Sequence, residues 1–175
     1  MPLAIKELFD SQTTNAKLLE GYGITECAPI LSANPVDRQK MNSVGRFIPG
    51  VEPLILNLET GKQAPTGQPG MIYVQGKNVF HGYLGEESIN PFEEINGKTY
   101  YKTGDLGYMD EDGYLFITGR LKRFIKIAGE MISLPFIEKI LLEKYADQEK
   151  QVLAVEGSDK LTPAQIVLFT TLPIN

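Results

Sequence analysis

The stretch from Val44 to Thr118 constrains this chain most. Glycine and proline recur in it at short intervals: Gly45, Pro49-Gly50, Pro53, Gly61, Pro65, Gly67, Pro69-Gly70, Gly76, Gly82 and Gly85. Between them lie short runs of β-type residues, "EPLILNL", "GMIYVQG" and "YLFITG". Short strands punctuated in this way predict a β-barrel or sandwich. The flanks read differently. Leu3 to Leu19 carries apolar residues at helical spacing and predicts one short amphipathic helix or two. In "LLEGYGITECAPIL", Gly21 and Gly23 rule out a regular helix, and a strand end followed by a glycine-rich turn fits.

Beyond Arg120 the pattern changes again. "RFIKIAGEMISL" alternates around Gly129 and predicts a hairpin. "PFIEKILLEKYA" predicts a helix with Pro135 at its start, where the missing N–H does no harm. "QVLAVEG" and "AQIVLFTTL" predict two strands. The whole is therefore α+β, with a boundary near Gly119 to Lys122 and no glycine–serine linker to mark it. One helix leading into a glycine-rich turn, and a strand followed at once by the last residue, suggest a chain cut at both ends.

Composition excludes some functions. The net charge of −5 argues against a nucleic-acid partner. A single cysteine, Cys27, builds no disulfide framework and points to a reducing compartment. It is either a nucleophile or a small buried residue, and with the lone His81 far off in sequence the second reading is preferred. No apolar run approaches the ~18 residues that span a bilayer. The expectation is a soluble chain.

"GDLGYMDEDGYLFITGR" sets acids around Asp110 to Asp112. An EF-hand loop with Gly113 at its sixth position would need carboxylates where Tyr108 and Gly119 stand, so calcium is excluded. Asp112-Gly113 between β-type runs instead predicts a hairpin with a solvated tip. That hairpin brings Asp105 at one end near Arg120 at the other. The two either pair with each other or share a polyhydroxyl ligand, since a carboxylate accepts two hydroxyl hydrogen bonds and a guanidinium donates a planar fork.

"EGYGITECAP", "SVGRFIPG", "GMIYVQGKNVFHGYLG", "YKTGDLGYMDEDGYLFITGR" and "GRLKRFIKIAGEMISL" occur in the order found in the adenylate-forming superfamily, which the chain resembles from about Leu19 to Leu142. The resemblance implies the β-barrel-like end of a large AMP-binding domain over residues 1–119. It implies the start of a small C-terminal α+β domain over 120–175, with the hinge at Lys122. It also implies a ligase that uses ATP and Mg²⁺ to turn a fatty carboxylate into an acyl-adenylate, then a thioester plus AMP. "GRLKRFIKIAGEMISL", with Arg123 where relatives commonly carry an acid, looks most like the acyl-acyl-carrier-protein synthetase part of bacterial bifunctional 2-acylglycerophosphoethanolamine acyltransferases. The alternative is a long-chain acyl-CoA synthetase. The thiol acceptor is then acyl carrier protein or CoA. In the first case lysophosphatidylethanolamine is a further substrate of an acyltransferase domain not in this sequence, and the parent sits at the cytoplasmic side of a bacterial inner membrane. A non-catalytic binding module is a third reading with no supporting pattern.

Residue by residue, the resemblance implies that Tyr22 stacks on adenine, with Gly21 and Gly23 letting backbone approach it. Thr25 touches the α-phosphate and Glu26 holds Mg²⁺. Asp105 and Arg120 take the ribose hydroxyls, and Ile117 lines the adenine pocket or is plain core. Lys122 is the hinge. Lys126 and Gly129 lie on the hairpin that serves the thioester step, although a hairpin glycine needs no such reason. The superfamily's Ser/Thr/Gly-rich phosphate loop and its last lysine motif are absent from these 175 residues, and its fatty-acid pocket would lie upstream. The chain by itself is therefore expected not to catalyse adenylation.

Overall fold

A computed structural model describes residues 3–85, 90–128, 130–145, 153–158 and 164–171. Gly129 and the link between the last helix and the strand after it lie outside the described residues. The chain divides into two compact units, Met1–Thr118 and Gly119–Asn175.

The first unit begins with α1 (Leu3–Gln12). The helix is shorter than the apolar spacing to Leu19 suggests. The Ser11 and Thr13 hydroxyls donate to the carbonyls of Leu8 and Phe9, at 2.7 and 2.9 Å, and so supply non-helical partners for the last turn. Next come β1 (Gly21–Gly23), β2 (Ile30–Ala33) and β3 (Arg46–Phe47), an antiparallel sheet in that order. The glycines expected in a turn are in strand β1 itself, and the turn follows as one turn of 3-10 helix at Thr25–Cys27. The reason is proximity: a Cβ on Gly23 would stand 1.9 Å from the carbonyl oxygen of Pro29.

The larger sheet holds β4 (Val51–Leu56), β5 (Gly70–Gly76), β6 (Phe92–Ile95), β7 (Lys98–Met109) and β8 (Leu115–Arg120). Its order is β4-β5-β7-β6, with β8 on β7 as well. β7 is long enough to serve two neighbours along one edge, β6 against Lys98 to Tyr101 and β8 beyond the middle. This open, curved half-barrel packs around Leu31, Ile55, Ile72, Val74, Tyr101 and Leu115, all buried. Each such side chain contributes roughly 1.5–3 kcal/mol on burial.

The second unit contains β9 (Phe124–Ile127), β10 (Glu130–Ser133), α2 (Leu134–Tyr145), β11 (Leu153–Ser158) and β12 (Gln165–Thr170). β9 pairs with β10 and β11 with β12, both antiparallel. Ile125, Leu134 and Val155 form its core, with Ile137 and Leu141 of α2 packed on them. Among the described residues no helix is long and apolar enough to cross a membrane.

Candidate nucleotide site

Asp105 owes its position to an irregularity in β7. Between Met71 and Tyr73 the β5–β7 register shifts, so that Met71 faces Leu106 while Tyr73 faces Lys102. Three β7 residues, Thr103 to Asp105, stand where β5 has only Ile72, and Gly104 takes φ 77°, a conformation that favours glycine. The Thr103 hydroxyl donates to the Ile72 carbonyl at 2.8 Å and accepts the Asp105 N–H at 3.1 Å. The bulge is thus stitched closed by a side chain, and it re-aims Asp105. The Asp105 carboxylate is only 3% exposed. It accepts a hydrogen bond from the Tyr22 hydroxyl at 2.6 Å. Burial, and then Asp105, raise the Tyr22 hydroxyl far above its ordinary value, so it remains a donor at any physiological pH.

Three residues after Tyr22, the turn Thr25–Cys27 carries the other two predicted phosphate-side groups. It is docked onto the loop that follows β5. The Phe80 N–H donates to the Glu26 carbonyl at 2.8 Å, and the Asn78 amide donates to the Cys27 carbonyl at 2.8 Å. The Tyr83 hydroxyl donates to Glu26 Oε1 at 2.6 Å. Cys27 is fully buried, and burial followed by the Glu26 charge pushes its thiol up to about 11. It is a core residue and a poor nucleophile.

The described residues hold no group of three or more His, Cys, Asp or Glu side chains able to bind a metal by themselves. A single carboxylate at Glu26 suits Mg²⁺, which takes its remaining oxygens from phosphates and water.

The acids of the β7–β8 hairpin have a structural task. Asp110 Oδ1 accepts the N–H groups of Asp112 and Tyr114, at 3.0 and 2.9 Å, which shapes the turn. Lys40 Nζ bonds Asp110 Oδ2, and it reaches Asp112 Oδ2 at 2.8 Å. Buried Tyr114 donates to the Arg38 carbonyl at 2.5 Å. The tip is therefore clamped to the 38–45 loop, where sequence reading expected a solvated turn. That loop is itself held by buried Asn34, whose amide donates to the Ser43 carbonyl at 2.8 Å and whose Oδ1 accepts the Lys40 N–H at 3.0 Å. Ile117 is half-buried and packs on the first unit's core.

In the second unit, Arg120 ends β8, Lys122 lies in a one-turn 3-10 helix at Leu121–Arg123, and Lys126 is exposed on β9. Arg123 bonds Glu138 of α2 at 2.7 Å and the Val155 carbonyl at 3.0 Å. Glu138 in turn accepts the Val155 N–H at 2.7 Å. One ion pair thereby ties the 3-10 turn ahead of β9 to α2 and β11. The Gly129 assignment falls outside the described residues.

Of the predicted site residues, the structure brings Tyr22 and Asp105 into direct contact, with Gly21, Gly23, Thr25 and Glu26 in the same short segment as Tyr22. Sequence reading missed Thr103, Tyr83 and Lys40. Thr103-Gly104 ahead of Asp105 is a bulge signal, and Tyr83 stands in a quoted motif, but their partners are distant in sequence.

Residues 1–84 match the family model of the AMP-binding enzyme. The chain is 39% identical over 143 residues to the mouse medium-chain acyl-CoA ligase ACSF2, covering 80% of this chain and 23% of that protein. It is 35% identical over 159 residues to a Bacillus subtilis long-chain-fatty-acid–CoA ligase, covering 90% and 28%. The structure of Bacillus subtilis O-succinylbenzoate coenzyme A synthetase in complex with AMP superposes with a TM-score of 0.74 at 27% identity, covering 99% of this chain and 35% of that one. The chain thus spans about a quarter to a third of the length of these relatives. With an adenylate-forming fold and this run of matches, the chain belongs to the AMP-binding enzyme superfamily, with acyl-CoA ligases among its homologues.

Proposed function

We propose that this chain is the nucleotide-binding part of an ATP-dependent fatty acyl-CoA ligase. The observation that carries the reading is the Tyr22–Asp105 contact, which sets an aromatic ring beside a nearly buried carboxylate on a β-bulge. The carboxylate takes the ribose hydroxyls, and the Tyr22 ring takes adenine, approached by backbone at Gly21 and Gly23. Thr25 contacts the α-phosphate. Glu26 would hold Mg²⁺, which when bound neutralises phosphate charge.

In the first half-reaction a carboxylate oxygen attacks the α-phosphorus and pyrophosphate leaves. In the second a thiolate attacks the acyl carbonyl, forming a thioester and expelling AMP. The protein's share is positioning and charge neutralisation. Lys122 is the hinge between the half-reactions, and Lys126 and Gly129 serve the second.

CoA is the preferred acceptor, because the matched ligases named above are CoA ligases or synthetases. A carrier-protein acceptor, with a lysophospholipid acyltransferase attached, rests on the "GRLKRFIKIAGEMISL" resemblance and on steering of an acidic carrier by Arg120, Lys122, Arg123 and Lys126. Arg123 weakens that argument, because its charge is taken up by Glu138 at 2.7 Å and Glu156 at 3.4 Å. The full-length protein, given ATP, Mg²⁺ and a fatty acid, should form the thioester with CoA. Turnover with holo-carrier protein alone would reverse the choice of acceptor, and no AMP release with either thiol would overturn the ligase reading.

A further inference from the structure

Tyr83 lies 57 residues beyond Glu26, on the loop after β5, yet its hydroxyl donates to Glu26 Oε1 at 2.6 Å. It is not an incidental surface contact. The Tyr83 ring packs edge-on against Phe80 at 4.8 Å, and Phe80 in turn packs on Tyr101 at 5.5 Å and Phe92 at 5.7 Å. Tyr101, itself 6% exposed, backs the Phe80 ring from the core. The result is a half-exposed phenol, held by its own ring packing, whose hydroxyl ends on a carboxylate. Main-chain bonds from Phe80 to Glu26 and from Asn78 to Cys27 fix the same two segments against each other.

We propose that Tyr83 is a positioning residue for the metal-binding carboxylate. The inference rests on the reading of Glu26 as the Mg²⁺ ligand. A carboxylate that holds a cation is itself oriented by a hydrogen bond from an outer partner. Here the partner is a phenol fixed by its own ring packing. Tyr83→Phe removes the hydroxyl and keeps the ring on Phe80, which separates orientation from folding.

The test uses the full-length protein with a non-hydrolysable ATP analogue, and Mn²⁺ as a paramagnetic stand-in for Mg²⁺ read by electron paramagnetic resonance. Tyr83→Phe should weaken Mn²⁺ binding about tenfold. The substitution should change neither analogue affinity without metal nor the melting temperature. Unchanged Mn²⁺ binding in Tyr83→Phe, alongside a loss in Glu26→Gln, would overturn the proposal while leaving the Glu26 reading intact. An equal fall in metal-free analogue affinity would also overturn it, because the role would then be structural. If Glu26→Gln leaves Mn²⁺ binding untouched, the underlying metal reading fails and this proposal falls with it.

Discussion

Tyr22 and Asp105 stand 83 residues apart in the chain and share a 2.6 Å hydrogen bond. Each was legible in the sequence as part of a motif, but the contact was not. Local pattern set Asp105 near Arg120 at the other end of its own hairpin and carried no sign of Tyr22. The bulge that turns Asp105 toward Tyr22 depends on Thr103 closing a ladder position, a tertiary event with only Thr-Gly as its trace. Ala128 shows the opposite limit. It adopts φ 51° in the β9–β10 turn, a left-handed conformation that a non-glycine residue avoids. Ala128→Gly should therefore raise the stability of the second unit, by about 1 kcal/mol in chemical denaturation of the full-length protein. A loss of stability would mean that the turn is not under strain.

At the scale of elements, alternation and turn residues marked the longer strands, β4, β5 and β8 to β12, because a half-barrel repeats its punctuation, but not the short β2, β3 and β6. What they did not mark was how elements are pinned. The β7–β8 hairpin was readable from Asp112-Gly113, whereas its clamp to Lys40 lies 70 residues away. Asp110→Ala removes the acceptor of two turn N–H groups and one arm of that clamp. It should cost about 1–2 kcal/mol in denaturant unfolding, and a neutral result would reduce the acids to ornament of a solvated tip. Strand β1 makes a sharper case. Gly23→Ala places a methyl 1.9 Å from the Pro29 oxygen, so β1 and β2 must part. The expected outcome is a loss of at least about 2 kcal/mol, of the order of a severe overpacking, together with impaired nucleotide binding. Wild-type stability in that variant would contradict the close approach of the two strands.

For the whole molecule, the texture change in the sequence near Gly119 falls beside the division between the two units, Thr118 and Gly119. Their separate cores explain why: each unit has an apolar cluster of its own. The second unit also has its own electrostatic fastening. Burial pushes the Glu138 carboxyl up, but Arg123 and the Val155 N–H outweigh it and hold the carboxyl below its usual value. A folded-state value below the unfolded one gives stability that is present above about pH 4.5 and is lost as pH falls through the depressed folded value. Acid titration followed by amide exchange on β9 and α2 should show that loss, and Glu138→Gln should flatten it. An equal acid response in Glu138→Gln would assign the loss to other carboxylates.

The account turns on Asp105 reading the sugar of a nucleotide. The most direct measurement is a calorimetric comparison, on the full-length protein, of an acyl-adenylate analogue with its 2′,3′-dideoxy counterpart, in wild type and in Asp105→Ala. Removing the hydroxyls should cost the wild type roughly 10–100-fold in affinity, the range expected for hydrogen bonds to a charged group, and should cost Asp105→Ala almost nothing. An equal loss in both proteins would contradict the assignment.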